Sequence, residues 1–329
     1  MPGRRALLHP PVTGSPQFRR RFFSPLDALL LLMTIIWGSN FSVIKSAFRE
    51  LNPQAFNSVR MVVASLAFLA VMAAARRFAP HTEVGTFYSP ARVTPREWAQ
   101  LAVLGLIGHV FYQLCFISGL ARTSVANGSL MLAVTPVLIA GINALLGHER
   151  IGRAHWIGAL VSTAGIYLVV GKGFRLGGPG LIGDLLMFGA VCCWAIYTLG
   201  TRPLMERHSP VAVTGLSMVF GTLVYVPLVW PDVRPVDWSR VSAWTLGLSI
   251  YSGLFALCVA YTIWYVAVRQ IGSARTSAYS NLIPVVAMTS AVMFLGEPLE
   301  WRKMIGAAAV LAGVALTRAG SQGMAPAEE

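Results

Sequence analysis

Ten apolar runs, each near the length of a bilayer-crossing helix, constrain this chain more than any other feature. A helix crossing a hydrocarbon core of about 30 Å needs about 20 residues. Runs of that order fall at 26–48, 54–75, 98–120, 124–146, 154–171, 181–201, 210–230, 243–267, 273–295 and 301–318. Backbone polar groups inside lipid must be satisfied within the protein, which favours helices. Connections as short as Arg49 to Pro53 and Ala121 to Thr123 make consecutive spans antiparallel neighbours in one compact bundle. Composition agrees. The chain is 55% hydrophobic and 12% charged, where a soluble domain carries about 25% charged residues. A soluble enzyme, a disordered protein and a secreted disulfide scaffold are excluded.

The charges that remain are strongly basic, with a formal net charge of +13. Nucleic-acid binders set such an excess on a polar chain, so no nucleic-acid partner is expected and membrane lipid is. Alternate connections, the N-terminal tail among them, hold 15 of the 26 Lys and Arg, and the opposite connections hold 8. Lys45, Arg60 and Arg275 lie within or beside spans. Positive charge favours the cytoplasm, which predicts an integral protein of a bacterial cytoplasmic (inner) membrane with both termini cytoplasmic. Residues 1–25 and 319–329 read as disordered cytoplasmic tails, with no cleavage pattern after Arg19, Arg20 and Arg21. The bias comes almost entirely from the first five spans.

That unevenness has a companion in an internal repeat. Asp27, Trp37, Pro53 and Met61 recur 157 residues later as Asp184, Trp194, Pro210 and Met218. Further on the offset becomes 148, with Ala126 and Ala274, Ser129 and Ser277, Pro136 and Pro284, Glu149 and Glu297, Gly158 and Gly306, and Gly165 and Gly313. Five spans per copy is an odd number, so the second copy enters the membrane from the opposite side. The expected fold is therefore all-α and integral to the membrane, with ten transmembrane helices in two five-helix inverted-topology repeats, 26–171 and 181–318. Such repeats supply two near-equivalent states, inward-open and outward-open.

Trp37-Gly38-Ser39-Asn40-Phe41 followed by Ile44-Lys45 resembles the first-helix signature of EamA-type proteins in the drug/metabolite transporter (DMT) superfamily. Leu146-Gly147-His148-Glu149-Arg150 and Leu295-Gly296-Glu297-Pro298-Leu299 resemble the Gly-Glu ends of that family's fourth and ninth helices, and Pro53, Phe56 and Arg60 the opening of its second. Departures are small: His148 interrupts the first Gly-Glu pair, and Trp194 lacks the Gly-Ser-Asn that follows Trp37. The resemblance runs from about Leu26 to Arg318. It implies small-metabolite transport, commonly export, and leaves open the choice among amino acids, nucleosides, sugars and drugs.

Polar and aromatic residues within spans mark the candidate site. His109, Tyr112, Gln113 and Phe116 form one stripe on the third span, and Trp37, Asn40 and Phe41 a shorter one on the first. Trp194, Tyr197 and Thr198 lie on the sixth, and Tyr261, Trp264 and Tyr265 on the eighth. Asn127 and Met131 on the fourth, with Ser277 and Asn281 on the ninth, lie near Pro136 and Pro284. Buried amides and imidazoles must face each other or a cavity. The expected substrate-binding set is Trp37, Asn40, Arg60, His109, Tyr112, Gln113, Asn127, Trp194, Tyr197, Tyr261, Trp264 and Asn281. Pro136 and Pro284 are expected to kink their helices, since proline removes a backbone donor. Arg60 either pairs with a carboxylate or helix-end carbonyls, or attracts an anionic group of the substrate. His109 either packs against Gln113 or carries protons.

No Asp or Glu falls at mid-membrane, so a neutral, zwitterionic or anionic cargo is expected over a cationic drug. Cys115, Cys192, Cys193 and Cys258 lie in spans and suit neither a disulfide framework nor zinc; no metal and no cofactor is expected. The small residues Gly158, Ser162, Gly165, Gly306, Ala309 and Gly313 suit close packing within the bundle, with a homodimer face as the alternative. The function expected is a secondary transporter, an exporter of a small metabolite such as an amino acid, working by alternating access about a midplane cavity. Export of hydrophobic drugs, nucleosides or sugars is the alternative. A membrane enzyme has little support: paired mid-membrane Asp residues and His-Glu-x-x-His are both missing, as is the Gly-x-x-x-x-Gly-Lys loop of a nucleotide-driven pump.

Overall fold

The computed structural model describes residues 24–78, 84–145, 157–158, 160–161, 164–165, 168, 179–277, 279–298 and 300–322. Among these residues the structure is helical and without strands. Helix α1 spans Pro25–Ala47 and α2 spans Pro53–Phe78. Helix α3 runs over Pro95–Arg122, α6 over Pro179–Thr201, α7 over Pro210–Leu228 and α8 over Ala243–Ile271. All six regions contain helices long and apolar enough to cross a membrane. The shorter pieces are α4 (Val125–Leu132), α5 (Thr135–Leu145), α9 (Ser273–Ser277) and α10 (Ile283–Leu295), and α11 (Trp301–Gln322) closes the chain.

Local chemistry fixes where the helices begin. The Ser24 hydroxyl accepts from the Asp27 N–H, and the Asp27 carboxylate accepts from the Ser24 N–H, with Pro25 at the first helical position. Thr94, Pro95 and Glu97 repeat the arrangement at α3. Each box satisfies backbone donors that a helix start leaves open. The two prolines expected to kink their helices each stand just after an interruption of their run. The fourth run breaks at Ala133 and Val134, and Pro136 sits in the first turn of α5. The ninth breaks around a 3-10 turn at Tyr279–Leu282, and Pro284 sits in the first turn of α10. Helices α3 and α8 instead widen into π-helical turns, at Leu106–Phe111 and Ser252–Val259.

Packing brings together residues separated by the repeat offset. The Ser65 and Thr222 hydroxyls, 157 residues apart, hydrogen-bond at 2.8 Å between α2 and α7. Trp37 and Trp194, also 157 apart, meet edge-on with ring centroids 5.7 Å apart. Gly105 on α3 lies against the Ser217 carbonyl, and Gly253 on α8 against the Arg60 carbonyl. A Cβ on either glycine would lie 2.7 Å from that oxygen. These four residues are themselves pairs, Gly105 with Gly253 at 148 and Arg60 with Ser217 at 157.

Leu32, Ile35, Leu66, Leu185, Leu223 and Phe294 are exposed around the bundle. An exterior of this size and apolarity suits hydrocarbon, and the protein is an integral membrane protein. The fifth predicted span and Glu149 lie largely or wholly outside the described residues. Gly165, which is described, packs within the chain: a Cβ there would lie 2.8 Å from the Gly306 carbonyl oxygen. The four cysteines are free, Cys258 buried and the others half-buried.

Candidate functional site

Where the broken helices meet α1, α2, α3, α6 and α8, the bundle encloses a cavity. Its walls bound about 600 Å³ counted out to the mouth, of which about 50 Å³ admits the centre of a water-sized sphere. That is room for a few waters on the usual measure of about 10–15 Å³ each. Aromatic rings form much of the wall. Trp194 packs against Trp37, Tyr112, Tyr261 and Trp264 with centroids 5.0 to 5.7 Å apart.

Of the twelve residues expected at the site, Trp37, Asn40, Arg60, Tyr112, Gln113, Trp194, Tyr261 and Trp264 line this cavity. His109, Tyr197, Asn127 and Asn281 do not. The sequence reading left out Phe41, Phe116, Leu132, Thr135, Ala256, Leu257, Ser280 and Ile283 as site residues. Phe41 and Phe116 sat on stripes already recognised. Thr135 and Ile283 each precede the proline of a broken helix, and that proline was the signal for them. Ala256 and Leu257 come from the π-helical turn of α8, which rotates side chains off the regular helical period.

The lining is largely paired. Trp37 with Trp194 at offset 157, and Gln113 with Tyr261, Phe116 with Trp264, Leu132 with Ser280 and Thr135 with Ile283 at 148, all face the same space. Asn40, Phe41, Arg60, Tyr112, Ala256 and Leu257 depart from the pattern. The counterparts of Asn40, Arg60 and Leu257 are Tyr197, Ser217 and His109, and these three pack shut on one another. His109 Nε2 lies 3.0 Å from the Tyr197 hydroxyl and 3.3 Å from the Ser217 hydroxyl, and the two hydroxyls are 2.7 Å apart. All three residues are fully buried. His109 therefore bonds across to α6 and α7, and not to Gln113 on its own helix.

Arg60 is 1% exposed. Its guanidinium donates to Asn57 Oδ1 at 2.9 Å and lies 5.5 Å from the Phe56 ring centroid. Among the described residues it forms no ion pair, so no described carboxylate holds it. Its Nε, both amide atoms of Gln113, the Tyr261 hydroxyl and the Trp264 indole nitrogen have no hydrogen-bond partner among the described residues. Asn40 Oδ1 accepts from the Ser252 hydroxyl, and the Trp37 indole N–H donates to the Ala256 carbonyl at 2.9 Å. Both bonds tie α1 to the π-helical turn of α8. Buried polar groups in native proteins are usually paired, so several unpaired ones converging on an aromatic cavity mark a place for a ligand. Among the described residues no group of His, Cys, Asp and Glu could hold a metal ion.

Polar networks close the ends. Glu97 accepts from the Thr94 N–H at 2.8 Å and pairs with Arg207 at 2.9 Å and His208 at 3.3 Å. Arg269 donates to the carbonyls of Val84 and Gly85. At the other end Glu50 accepts from the Ser242 N–H at 2.9 Å and its hydroxyl at 3.0 Å. Those donors hold the Glu50 carboxyl below its ordinary value of 4.5.

Comparison with known proteins places this geometry in context. The sequence profile of the EamA-like transporter family matches residues 25–171 and again 181–319. Uncharacterized transporter YyaM of Bacillus subtilis is 26% identical over 299 residues, covering 89% of this chain and 92% of its own. A protein of Streptantibioticus cattleyicolor described as a probable terminal-alkyne amino-acid exporter is 26% identical over 289 residues, covering 87% and 91%. A solved crystal structure covers 90% of this chain and 98% of its own at a TM-score of 0.64 and 17% identity, a likeness of fold alone.

Proposed function

Because the chain belongs to the EamA-like transporter family and is a transporter and not an enzyme, we propose that it exports a small neutral, zwitterionic or anionic metabolite by alternating access about the central cavity. The two matched segments act as inverted five-helix repeats of a ten-helix transporter in a bacterial cytoplasmic membrane, with both termini cytoplasmic. An amino acid is the type of cargo favoured, in keeping with the description of the S. cattleyicolor relative.

One observation carries the mechanism. Ten of the sixteen lining residues form repeat-equivalent pairs; among the other six, Asn40, Arg60 and Leu257 face the cavity while their counterparts Tyr197, Ser217 and His109 are packed shut on one another. In an inverted repeat the two halves exchange conformations, so the open side of one state becomes the closed side of the other. With Pro53 at the outer face, Arg60 stands on the outer route and Ser217 on the inner. The His109–Tyr197–Ser217 cluster is then the closed inner gate, and its separation opens the cavity to the cytoplasm. The hydroxyl and imidazole hydrogen bonds give this gate a preference for closure that a bound solute must outweigh by binding the other state more tightly.

A cationic-drug exporter is disfavoured, since among the described residues no Asp or Glu lines the cavity. The direct test is a melting screen of the purified protein against amino acids, organic acids and nucleosides. Only a ligand preferring the native state raises the melting temperature. A concentration-dependent rise with one of these solutes is expected, and no rise with any of them would remove the small-metabolite reading.

A further inference from the structure

The cavity wall carries one charged side chain among its described residues, and that charge is positive. A guanidinium has five N–H donors. In Arg60 one N–H reaches Asn57, and Nε, fully buried, reaches nothing among the described residues. A buried cation without a counter-ion is costly, and nothing among the described wall residues neutralises this one: the nearby hydroxyls of Tyr112 and Tyr261 are uncharged phenols. The counter-charge must therefore arrive with the occupant. One guanidinium matches one carboxylate, with the planar fork that favours bidentate contact.

The rest of the wall decides the body of the solute. Trp37, Trp194, Tyr261 and Trp264 pack on one another at centroid distances of 5.0 to 5.9 Å. Such a cluster can part to take a flat apolar group between its rings at the spacing aromatic pairs favour. An α-ammonium group finds no matching anion. The Gln113 amide oxygen is an unpartnered acceptor, and this one neutral acceptor roughly offsets repulsion from the Arg60 charge, so an α-ammonium gains nothing on balance.

We propose, resting on the reading that this cavity is the transport site, that the solute is an aryl or similarly flat apolar monocarboxylate. Its carboxylate is taken by Arg60, and an α-amino group is tolerated but not read. Amino acids and their des-amino analogues then bind alike, and the corresponding amines do not bind.

The test uses the full-length protein in detergent with three probes: L-phenylalanine, 3-phenylpropionate and 2-phenylethylamine. The two carboxylates are expected to raise the melting temperature with half-maximal concentrations within threefold of each other, and the amine to leave it unmoved. Arg60→Gln should raise the concentration needed at least tenfold. A response to L-phenylalanine without one to 3-phenylpropionate would overturn the proposal, as would a response to the amine. The wild-type series decides the question even if Arg60→Gln fails to fold. If only an uncharged or non-aryl solute from the wider screen stabilises the protein, the carboxylate proposal falls and the transport site stands. If no solute of any class does, both fall.

Discussion

Trp37 is held twice, by its N–H on the Ala256 carbonyl and by edge-on contact with Trp194 and Tyr261. A side chain fixed in this way shapes the cavity rather than merely filling it. Trp37→Ala and Tyr261→Ala should reorder the protein's preference among solutes, measured as relative uptake into proteoliposomes. Unchanged order in both variants would remove the aromatic wall from recognition. Thr262→Ala, whose hydroxyl bonds the Cys258 carbonyl of its own helix, should leave the order intact. At this scale much of the cavity was legible, because a polar or aromatic stripe on an apolar helix has few places to go. His109 and Tyr197 show the limit. Their stripes point inward as expected, but a stripe does not say whether the inward face meets a cavity or a neighbouring hydroxyl. Leu132, Thr135, Ser280 and Ile283 carried no polar signal that set them apart, and only the prolines beside Thr135 and Ile283 hinted at them.

Among elements, the decisive contacts are those where backbone meets backbone. Gly105 and Gly253 let α3 and α8 rest directly on carbonyls of α7 and α2. Gly105→Val or Gly253→Val should destabilise by about 1–3 kcal/mol through overpacking, read as a fall in melting temperature. Gly247→Ala, with nothing within 4 Å, should melt like the wild type or slightly higher. Equal melting of all three would mean that these helices are not in close contact. Glu97→Ala should also lower the melting temperature, by about 1–3 kcal/mol in stability, because it leaves the Thr94 N–H and hydroxyl without their acceptor and removes the carboxylate 3.3 Å from the buried His208. Glu50 titrates in a defined direction. Its folded-state value is depressed by the Ser242 donors, so its contribution is present above about 4.5 and is lost as pH falls through the lower, folded value. Glu50→Gln should flatten the acid limb of the melting profile; an unchanged limb would dissociate Glu50 from this capping contact. Apart from the Thr94–Glu97 box, none of these pairings could be read from spacing alone, since each joins residues far apart in the chain. The proline-marked breaks could be, since proline's missing N–H acts locally.

For the whole molecule, the repeat was legible in the sequence as two offsets, 157 and 148. The contacts between counterparts were not: Trp37 meets Trp194 and Ser65 meets Thr222, as residues near the two-fold axis of the proposed inverted repeat would. The orientation is tested by a reporter fused after Arg318, expected to be active on the cytoplasmic side; activity only on the outer side would reverse the inner and outer assignments. If the Asn40–Arg60–Leu257 side and the His109–Tyr197–Ser217 side open in turn, labelling shows it. Leu257→Cys and Ser217→Cys variants are treated with a membrane-impermeant thiol reagent, in right-side-out and inside-out vesicles, against the parent protein's own four cysteines. Position 257 is expected to react from outside and position 217 from inside, with every condition that raises one rate lowering the other. Rates that rise together, or a position 217 that never reacts, would contradict it.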